Sequence, residues 1–255
     1  MKKKVLFLGA SGRIGRNFVN DYWNQRFDKK YELILGSRNP GKIKDKRFKT
    51  RKVDILDISE LKKAFKGIDA VLNLAANANQ NAAFSDLVKP NIYGIYNVLE
   101  AAKQAKVKRV ITASSIHAVK GYREGKIIEE SDAPKPENLY GATKAFAEAL
   151  CYVYSKKFGL SCLAIRIGAY VSDDLRQKVC FERHNYDYVI SQRDMAQLFH
   201  KAIIAPEKVK YGVLSGISNN KKKRLALNCT KKLVGYKPKD DAYALCDSVK
   251  KHSIR

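Results

Sequence analysis

Short apolar runs alternate with longer amphipathic stretches over about the first 170 residues of the chain. This pattern is typical of βαβ units, in which apolar runs form the buried strands of a parallel sheet and amphipathic stretches form helices on its faces. The clearest predicted helices cover residues 92–106 and 140–158. The predicted strands cover residues 5–8, 32–35, 52–55, 70–74, 109–113 and 162–167. Together they predict an α/β fold with a doubly wound parallel sheet.

The pattern becomes irregular after residue 167. Polar, mixed sequence over 170–188 precedes a predicted helix over 194–205, with Ser191 and Asp194 placed to cap its start. A short strand near Val213 and two amphipathic helices within 221–255 follow. Residues 171–255 are too few for an independent domain, so we expect a small helical segment packed on the main domain. It would cover the carboxyl edge of the sheet, where substrates of such folds bind.

Three glycines follow the first predicted strand, in the segment Gly9-Ala10-Ser11-Gly12-Arg13-Ile14-Gly15. Glycine permits a tight turn at Gly9, close approach of a pyrophosphate at Gly12, and close helix packing at Gly15. The N–H groups and the dipole of the following helix favour phosphate. Ordinary turns also contain glycine, but the order strand, glycines, helix predicts that residues 1–170 form a Rossmann dinucleotide-binding and catalytic domain.

The end of the second predicted strand bears on which nicotinamide cofactor is bound. NAD enzymes of this fold usually place an acidic residue there, which accepts hydrogen bonds from the ribose hydroxyls. This strand ends Gly36-Ser37-Arg38 instead. Arg38 is able to clamp a 2′-phosphate while Ser37 donates a hydrogen bond, although a surface arginine can also be incidental. The pattern favours NADP over NAD.

Tyr140 and Lys144 stand one turn apart at the head of the long predicted helix and share a face. The ammonium favours the phenolate and is expected to lower the pKa of Tyr140 from its ordinary value of about 10, toward general-base strength. Ser115, at the end of the fifth strand, is placed to hydrogen-bond a substrate oxygen. A YxxxK spacing alone is common on helices, but Ser115 and the segment 166–168 accompany it here, which favours an enzyme.

These motifs resemble the extended short-chain dehydrogenases/reductases, the NAD-dependent epimerase/dehydratase family. Within it, the compact branch of uronate and related sugar dehydrogenases is most similar. The matching segments are GASGRIG at 9–15, KRVITASS at 108–115, LYGATKAFAEAL at 139–150, RIG at 166–168 and LVGYKP at 233–238. The resemblance covers nearly the whole chain. It implies an NAD(P)-dependent oxidoreductase that transfers a hydride between the cofactor and a small sugar or sugar acid.

The resemblance and the motifs above together define the predicted site. Ser115, Tyr140 and Lys144 are the catalytic residues, and no metal site is expected. The predicted cofactor-binding residues are Gly9, Ser11, Gly12, Arg13, Ile14, Gly15, Ser37, Arg38, Asp54, Ile55, Leu74, Ala75, Ala76, Asn91, Tyr140, Lys144 and Ile167. The predicted substrate-binding residues are Asn79, Ser115, Ile116, His117, Tyr140 and Lys178. Simpler explanations exist for two of them, since Asp54 could be only a helix cap and His117 only a packed histidine.

Three substrate positions depart from the uronate enzymes. Ile116 stands where those enzymes carry Asn, and Asn79 stands where they carry a small hydroxyl residue. The uronate enzymes are expected to bind the substrate carboxylate with an arginine. Its counterpart here is either Lys178 or a displaced Arg176, and a lysine cannot form the two parallel hydrogen bonds that an arginine makes to a carboxylate. The resemblance therefore supports the reaction class more than uronate itself. A nucleotide-sugar epimerase or dehydratase is the alternative enzyme, which the short C-terminal part disfavours.

The net charge of +25 raises the alternative of a nucleic-acid-associated or NADP-sensing binding protein without turnover. The basic residues are spread over the whole length, without the aromatic interleaving of a nucleic-acid platform, so a lysine-rich solvated surface is favoured. No apolar stretch reads as a signal or membrane segment.

Five cysteines without a CxxC pair predict reduced thiols and a cytoplasmic protein. The family resemblance also implies a homodimer.

Overall fold

The sheet at the centre of the computed structural model contains seven strands; the structure describes residues 2–43, 45–175, 180 and 186–252. Together with a smaller pair, the strands of the described residues are β1 (Lys3–Leu8), β2 (Tyr31–Ser37), β3 (Lys49–Lys52), β4 (Ala70–Asn73), β5 (Arg109–Ser115), β6 (Ser161–Ile167), β7 (Ala169–Val171), β8 (Val189–Ser191) and β9 (Tyr211–Gly216). The main sheet has the order β3-β2-β1-β4-β5-β6-β9, and all its pairings are parallel. β7 and β8 form a separate parallel pair. The predicted α/β fold with a doubly wound parallel sheet is confirmed.

Helices cover both faces of this sheet. They are α1 (Arg13–Asn24), α2 (Ile58–Phe65), α3 (Phe84–Leu87), a π-helix (Val88–Tyr93), α4 (Gly94–Gln104), α5 (Leu139–Phe158), α6 (Gln192–Ile204), α7 (Asn228–Val234) and α8 (Ala242–His252). Short 3₁₀ turns cover Phe27–Lys29, Pro40–Lys42, Ile116–Ala118 and Asp173–Leu175. The helix predicted over 92–106 thus begins earlier, as a π turn that contains Pro90, a residue without a backbone N–H.

The central strands are buried on both faces, which explains their continuous apolar runs. Successive residues of β1 point to opposite faces. Phe7 packs edge-to-face on Phe18 of α1, which packs in the same way on Phe199 of α6. Leu6 and Leu8 lie in the other core cluster, to which α2, α4 and α5 contribute. The sheet is therefore held between two hydrophobic layers.

The third strand lies three residues earlier than predicted, at Lys49–Lys52 instead of 52–55. Its four residues are polar and three are exposed, because β3 is the edge of the sheet. The ladder with β2 ends where Lys52 pairs with Ser37. An edge strand does not require the apolar run from which the strand was predicted.

The segment after residue 170 contributes a strand to the main sheet as well as helices that pack on it. The strand predicted near Val213 is β9, which pairs with β6. The predicted cap of α6 is also confirmed, since Ser191 Oγ accepts a hydrogen bond from the Asp194 N–H at 3.2 Å. The buried Asp194 carboxylate in turn accepts the backbone N–H groups of Lys239 and Asp240 at 2.9 and 3.0 Å. The segment before α8 is thereby fixed to α6.

Cys180 and Cys246 form a disulfide, so the prediction of reduced cysteines throughout was wrong for this pair. The two residues are 66 positions apart, but the fold brings their Cα atoms to 4.9 Å. Cys151, Cys162 and Cys229 are free. The cytoplasmic location stays a prediction and loses the support that the cysteines were expected to give it. Among the described residues, no helix combines the length and the apolar character needed to cross a bilayer.

Candidate active site

The turn between β1 and α1 depends on the absence of side chains at two glycines. Gly9 has a φ of +88°, and a Cβ there would lie 2.8 Å from the backbone N of Ala75. A Cβ at Gly15 would lie 2.4 Å from the Gly9 carbonyl oxygen. At Gly12, the N-cap of α1, a Cβ would clash with nothing: its nearest neighbour would be the Gly9 carbonyl oxygen, 3.4 Å away. Packing within the protein therefore requires Gly9 and Gly15, whereas the bare backbone at Gly12 leaves room for a ligand.

Two adjoining cavities extend from this turn along the carboxyl edge of the sheet. Their volumes are about 630 and 640 Å³, each suited to a small molecule. Gly9, Gly12, Leu74 and Ala76 border both. Other predicted residues line only one of the two cavities. Those that line the first cavity are Ser11, Ser37, Arg38, Asp54, Ile55 and Ala75. The second is lined by Arg13, Ile14, Gly15, Asn79, Ser115, His117, Tyr140, Lys144 and Ile167.

Two of the predicted residues that the structure describes do not line these cavities. Ile116 is 4% exposed and packs in the hydrophobic core, because the turn after β5 directs its side chain inward. Its predicted contact with substrate is therefore corrected. Asn91 lies behind the wall, where its amide bonds both the N–H and the carbonyl of Asn77 and donates to Thr143 Oγ1 at 3.1 Å. Lys178 lies outside the described residues.

The first cavity has an exposed cation at its wall. Arg38 forms no hydrogen bond or ion pair with any described residue, and Ser37 Oγ accepts the Asn39 N–H at 3.1 Å. Asp54 is not a helix cap: its carboxylate accepts the Leu56 N–H at 3.0 Å, whereas Asp57 caps α2. Both Arg38 and Asp54 are thus available at this end of the cleft.

The catalytic residues predicted from sequence come together in the second cavity. Tyr140 lies in the first turn of α5 and is 8% exposed, and Ser115 ends β5. Lys144 is buried, and its Nζ donates to the Ala113 carbonyl at 3.1 Å. The same Nζ lies 5.4 Å from the centre of the Tyr140 ring. Strand β5 and helix α5 therefore position the three side chains.

Burial changes the electrostatics expected of this group. It raises the pKa of Tyr140 above its ordinary value, and a hydrogen bond with Ser115 only partly opposes the shift. The predicted lowering of this pKa was therefore wrong, because desolvation of the phenolate is the largest influence on it. Burial also lowers the pKa of Lys144 to about 8. At neutral pH Tyr140 keeps its proton and Lys144 is predominantly a cation.

His117 forms the wall beside Tyr140, with the two rings edge-to-face at 5.7 Å. Its Nδ1 lies 3.0 Å from Nδ2 of Asn138. Burial, and next the charge of Lys120, lower the pKa of His117. His117 is thus a neutral polar group on the substrate side of the cleft.

A family model described as NAD dependent epimerase/dehydratase family matches residues 5–208. The chain belongs to this family. It is 33% identical over 207 residues to an L-arabinose 1-dehydrogenase (NAD(P)(+)) of Haloferax volcanii, with 74% of this chain and 82% of that protein covered. It is 26% identical over 243 residues to a uronate dehydrogenase of Agrobacterium fabrum, covering 95% and 86%. The crystal structure of uronate dehydrogenase from Agrobacterium tumefaciens superposes with a TM-score of 0.81 at 26% identity, covering 98% and 89%.

Within this epimerase/dehydratase fold, sequence reasoning missed Tyr170 and Asn138. Tyr170 lines the second cavity, where its ring lies 5.8 Å from the Arg13 guanidinium carbon and its hydroxyl accepts Asn17 Nδ2 at 2.8 Å. The irregular pattern after residue 167 gave no signal for it. Asn138 precedes the predicted helix and has the residue type of an N-cap, which could have identified it.

Proposed function

We propose that this protein is an NAD(P)-dependent dehydrogenase or reductase that transfers a hydride between a nicotinamide and a small sugar or sugar acid. The observation that carries the proposal is the convergence of Ser115, Tyr140 and Lys144 on a cavity that the glycine turn also borders. The arabinose and uronate dehydrogenases among the relatives support a sugar-type substrate.

The cleft has the chemistry that such a cofactor requires. Gly12 and the start of α1 would hold the pyrophosphate, because a helix N-terminus with no side chain at its cap favours anions. Asp54 and Ile55 would flank the adenine, and Lys144 would hold the nicotinamide ribose. The bound nicotinamide supplies the carbon that accepts or gives the hydride.

Tyr140 would move the proton that accompanies the hydride. In the oxidation direction its oxygen takes the proton of the sugar hydroxyl, and in the reduction direction it returns one to the carbonyl oxygen. Ser115 would hydrogen-bond the same substrate oxygen and stabilise its changing charge. The raised pKa of Tyr140 makes it a proton donor at neutral pH, which favours reduction there.

NADP is the proposed preference. Arg38 supports it, because this exposed guanidinium makes no competing contact with a described residue and borders the cavity beside Ser37. A 2′-phosphate is a dianion that an arginine is well suited to bind.

We also propose that the protein is a homodimer that pairs through α4 and α5. Leu139, Phe146 and Val153 recur every seven residues on α5 and are 52%, 39% and 45% exposed. Tyr96 of the neighbouring α4 is 45% exposed. Apolar side chains in such a stripe favour a protein contact. Light scattering after gel filtration would test the dimer.

The activity is tested with NAD or NADP and a panel of aldoses, uronates, sugar phosphates and nucleotide sugars, by the absorbance of the reduced nicotinamide. Net reduction of cofactor by an aldose or uronate is expected. Conversion of a nucleotide sugar without net cofactor reduction would replace the proposal with an epimerase or dehydratase. Salt-sensitive binding of nucleic acid without turnover would replace it with a binding protein.

A further inference from the structure

Asn138 makes two hydrogen bonds of different kinds at the start of α5. Its Oδ1 accepts the backbone N–H of Gly141 at 2.7 Å, which makes it the N-cap of the helix. Its Nδ2 lies 3.0 Å from Nδ1 of His117. The backbones of these segments are in close contact, since a Cβ at Gly141 would lie 2.2 Å from the His117 carbonyl oxygen. The two side chains are therefore held against each other by the fold.

The first hydrogen bond determines the direction of the second. Only the oxygen of an amide accepts from an N–H, so the cap fixes which end of Asn138 faces the helix. The NH₂ group must then face His117, and it can only donate. Nδ1 of His117 consequently accepts and carries no proton, and the neutral ring has its proton on Nε2.

The opposite ring nitrogen is not enclosed by the protein. His117 Nε2 makes no hydrogen bond with a described residue, and it is not among the buried polar atoms that lack a partner. His117 itself lines the second cavity together with Ser115 and Tyr140. A donor at Nε2 would thus face the same space as the phenol.

We propose that Asn138 is a positioning residue that holds His117 as the Nε2–H tautomer, so that His117 donates a hydrogen bond to a substrate oxygen beside Tyr140. This inference rests on the proposed function for its substrate. The group recognised is an acceptor, such as a ring oxygen, a carbonyl or a second hydroxyl of the sugar. A neutral donor recognises it without adding a cation next to the reacting oxygen.

The surroundings of His117 keep the ring neutral. Burial lowers its pKa, the charge of Lys120 lowers it further, and Glu137 acts in the opposite direction. The Tyr140 ring and the Asn138 amide contact the His117 ring, and neither carries a charge at neutral pH. A proton on Nδ1 of His117 would point at the NH₂ group of Asn138, so two donors would face each other.

The Asn138→Asp variant separates the two roles of this residue. Aspartate retains an oxygen to cap α5 but presents a second acceptor, instead of a donor, to His117. We expect Nδ1 to become protonated, the pKa of His117 to rise, and KM for the sugar to increase about tenfold with a smaller change in kcat. Asn138→Ser is the matched control for the cap, since it retains an acceptor for the Gly141 N–H but has no group to fix the tautomer.

The tautomer is read directly by ¹⁵N NMR of protein labelled at its four histidines. His117→Gln assigns the signal, and His200, stacked on Phe27 away from the cleft, is the internal reference. An unprotonated Nδ1 in the native protein and a protonated one in Asn138→Asp are expected. A protonated Nδ1 in the native protein would overturn the tautomer assignment. An unchanged KM in a correctly capped Asn138→Asp variant would overturn the substrate contact. The NMR result does not depend on turnover, so it separates failure of this inference from failure of the proposed function.

Discussion

Glu148 of α5 and Arg166 of β6 form a buried two-point ion pair behind the proposed catalytic residues. Arg166 Nε donates to Glu148 Oε1 at 3.0 Å, and Nη2 donates to Oε2 at 2.9 Å. The side chains are 4% and 2% exposed. Ser114 Oγ donates to the same Oε1 at 2.6 Å. The network therefore joins β5, β6 and α5, the elements that carry Ser115, Ile167 and the pair Tyr140 and Lys144.

Removal of one partner of this ion pair should destabilise the protein severely. We expect Glu148→Ala to lower the free energy of unfolding by about 3–5 kcal/mol, because it leaves the Arg166 charge buried without a partner. Urea unfolding followed by circular dichroism measures the loss. The exposed pair of Arg47 and Asp45 provides the control, and Asp45→Ala should change the unfolding midpoint little. Equal effects of the two substitutions would show that burial of the ion pair does not matter.

Loss of the Tyr140 hydroxyl should stop turnover without preventing cofactor binding. Tyr140→Phe is expected to lower kcat by about 10²–10⁴-fold, because the proton of the substrate hydroxyl then has no acceptor. Steady-state kinetics give kcat, and quenching of protein fluorescence by the cofactor gives binding. Tyr152→Phe, on the exposed side of the same helix, is the control and should retain activity. A Tyr140→Phe enzyme with native kcat would contradict the mechanism.

Arg38 should determine the choice of cofactor. We expect Arg38→Ala to raise KM for NADP by about 10–100-fold through loss of charged hydrogen bonds to the 2′-phosphate, while KM for NAD stays nearly constant. Arg123→Ala removes an exposed arginine elsewhere and controls for the change in net charge. The clamp is refuted if NAD and NADP lose affinity equally.

The two directions of the reaction should respond oppositely to pH. Burial raises the pKa of Tyr140, so the phenolate that oxidation needs is scarce at pH 7 and becomes more abundant as pH rises. The kcat/KM for oxidation should therefore increase from pH 6 toward pH 8, and that for reduction should decrease at higher pH. Above about pH 8 Lys144 loses its charge and no longer supports the phenolate, so the increase should flatten. Profiles measured in both directions at constant ionic strength test this; parallel profiles would contradict it.

The disulfide should contribute to stability under oxidising conditions. Closing a loop of 66 residues restricts the unfolded chain and is expected to stabilise the fold by about 4 kcal/mol. Cys246→Ser should therefore lower the unfolding midpoint, and a reductant should affect the native protein but not this variant. Cys229→Ser, at a free cysteine, is the control. Mass spectrometry after alkylation should find three reactive thiols before reduction of the unfolded protein and five afterwards.

Local patterns were sufficient to predict the glycine turn, the central strands and the grouping of Ser115, Tyr140 and Lys144 at one cavity. Gly9 has the positive φ of a tight turn, Gly15 packs on that turn, and Tyr140 and Lys144 lie one helical turn apart. These constraints lie within short segments, so the order of residues reveals them.

The missed features depend on contacts between distant segments or on the direction of single side chains. Cys180 and Cys246 meet only through the tertiary fold. Ile116 enters the core because a 3₁₀ turn replaces the strand after Ser115, and strand periodicity does not extend into it. Desolvation of Tyr140 likewise arises from the packing around it, so sequence reasoning from Lys144 alone gave the wrong direction of its pKa.

The late position of β9 in the chain also affects how the protein folds while it is being synthesised. β6 ends at Ile167 and already pairs with β5 on one side, but β9, its partner on the other side, does not begin until Tyr211. A nascent chain that has folded as far as β6 therefore presents an open strand edge, and all seven residues of that strand are buried in the finished protein. Such an edge is a template for pairing with other chains. Translation that pauses between these two strands would therefore expose the nascent chain to aggregation on the ribosome.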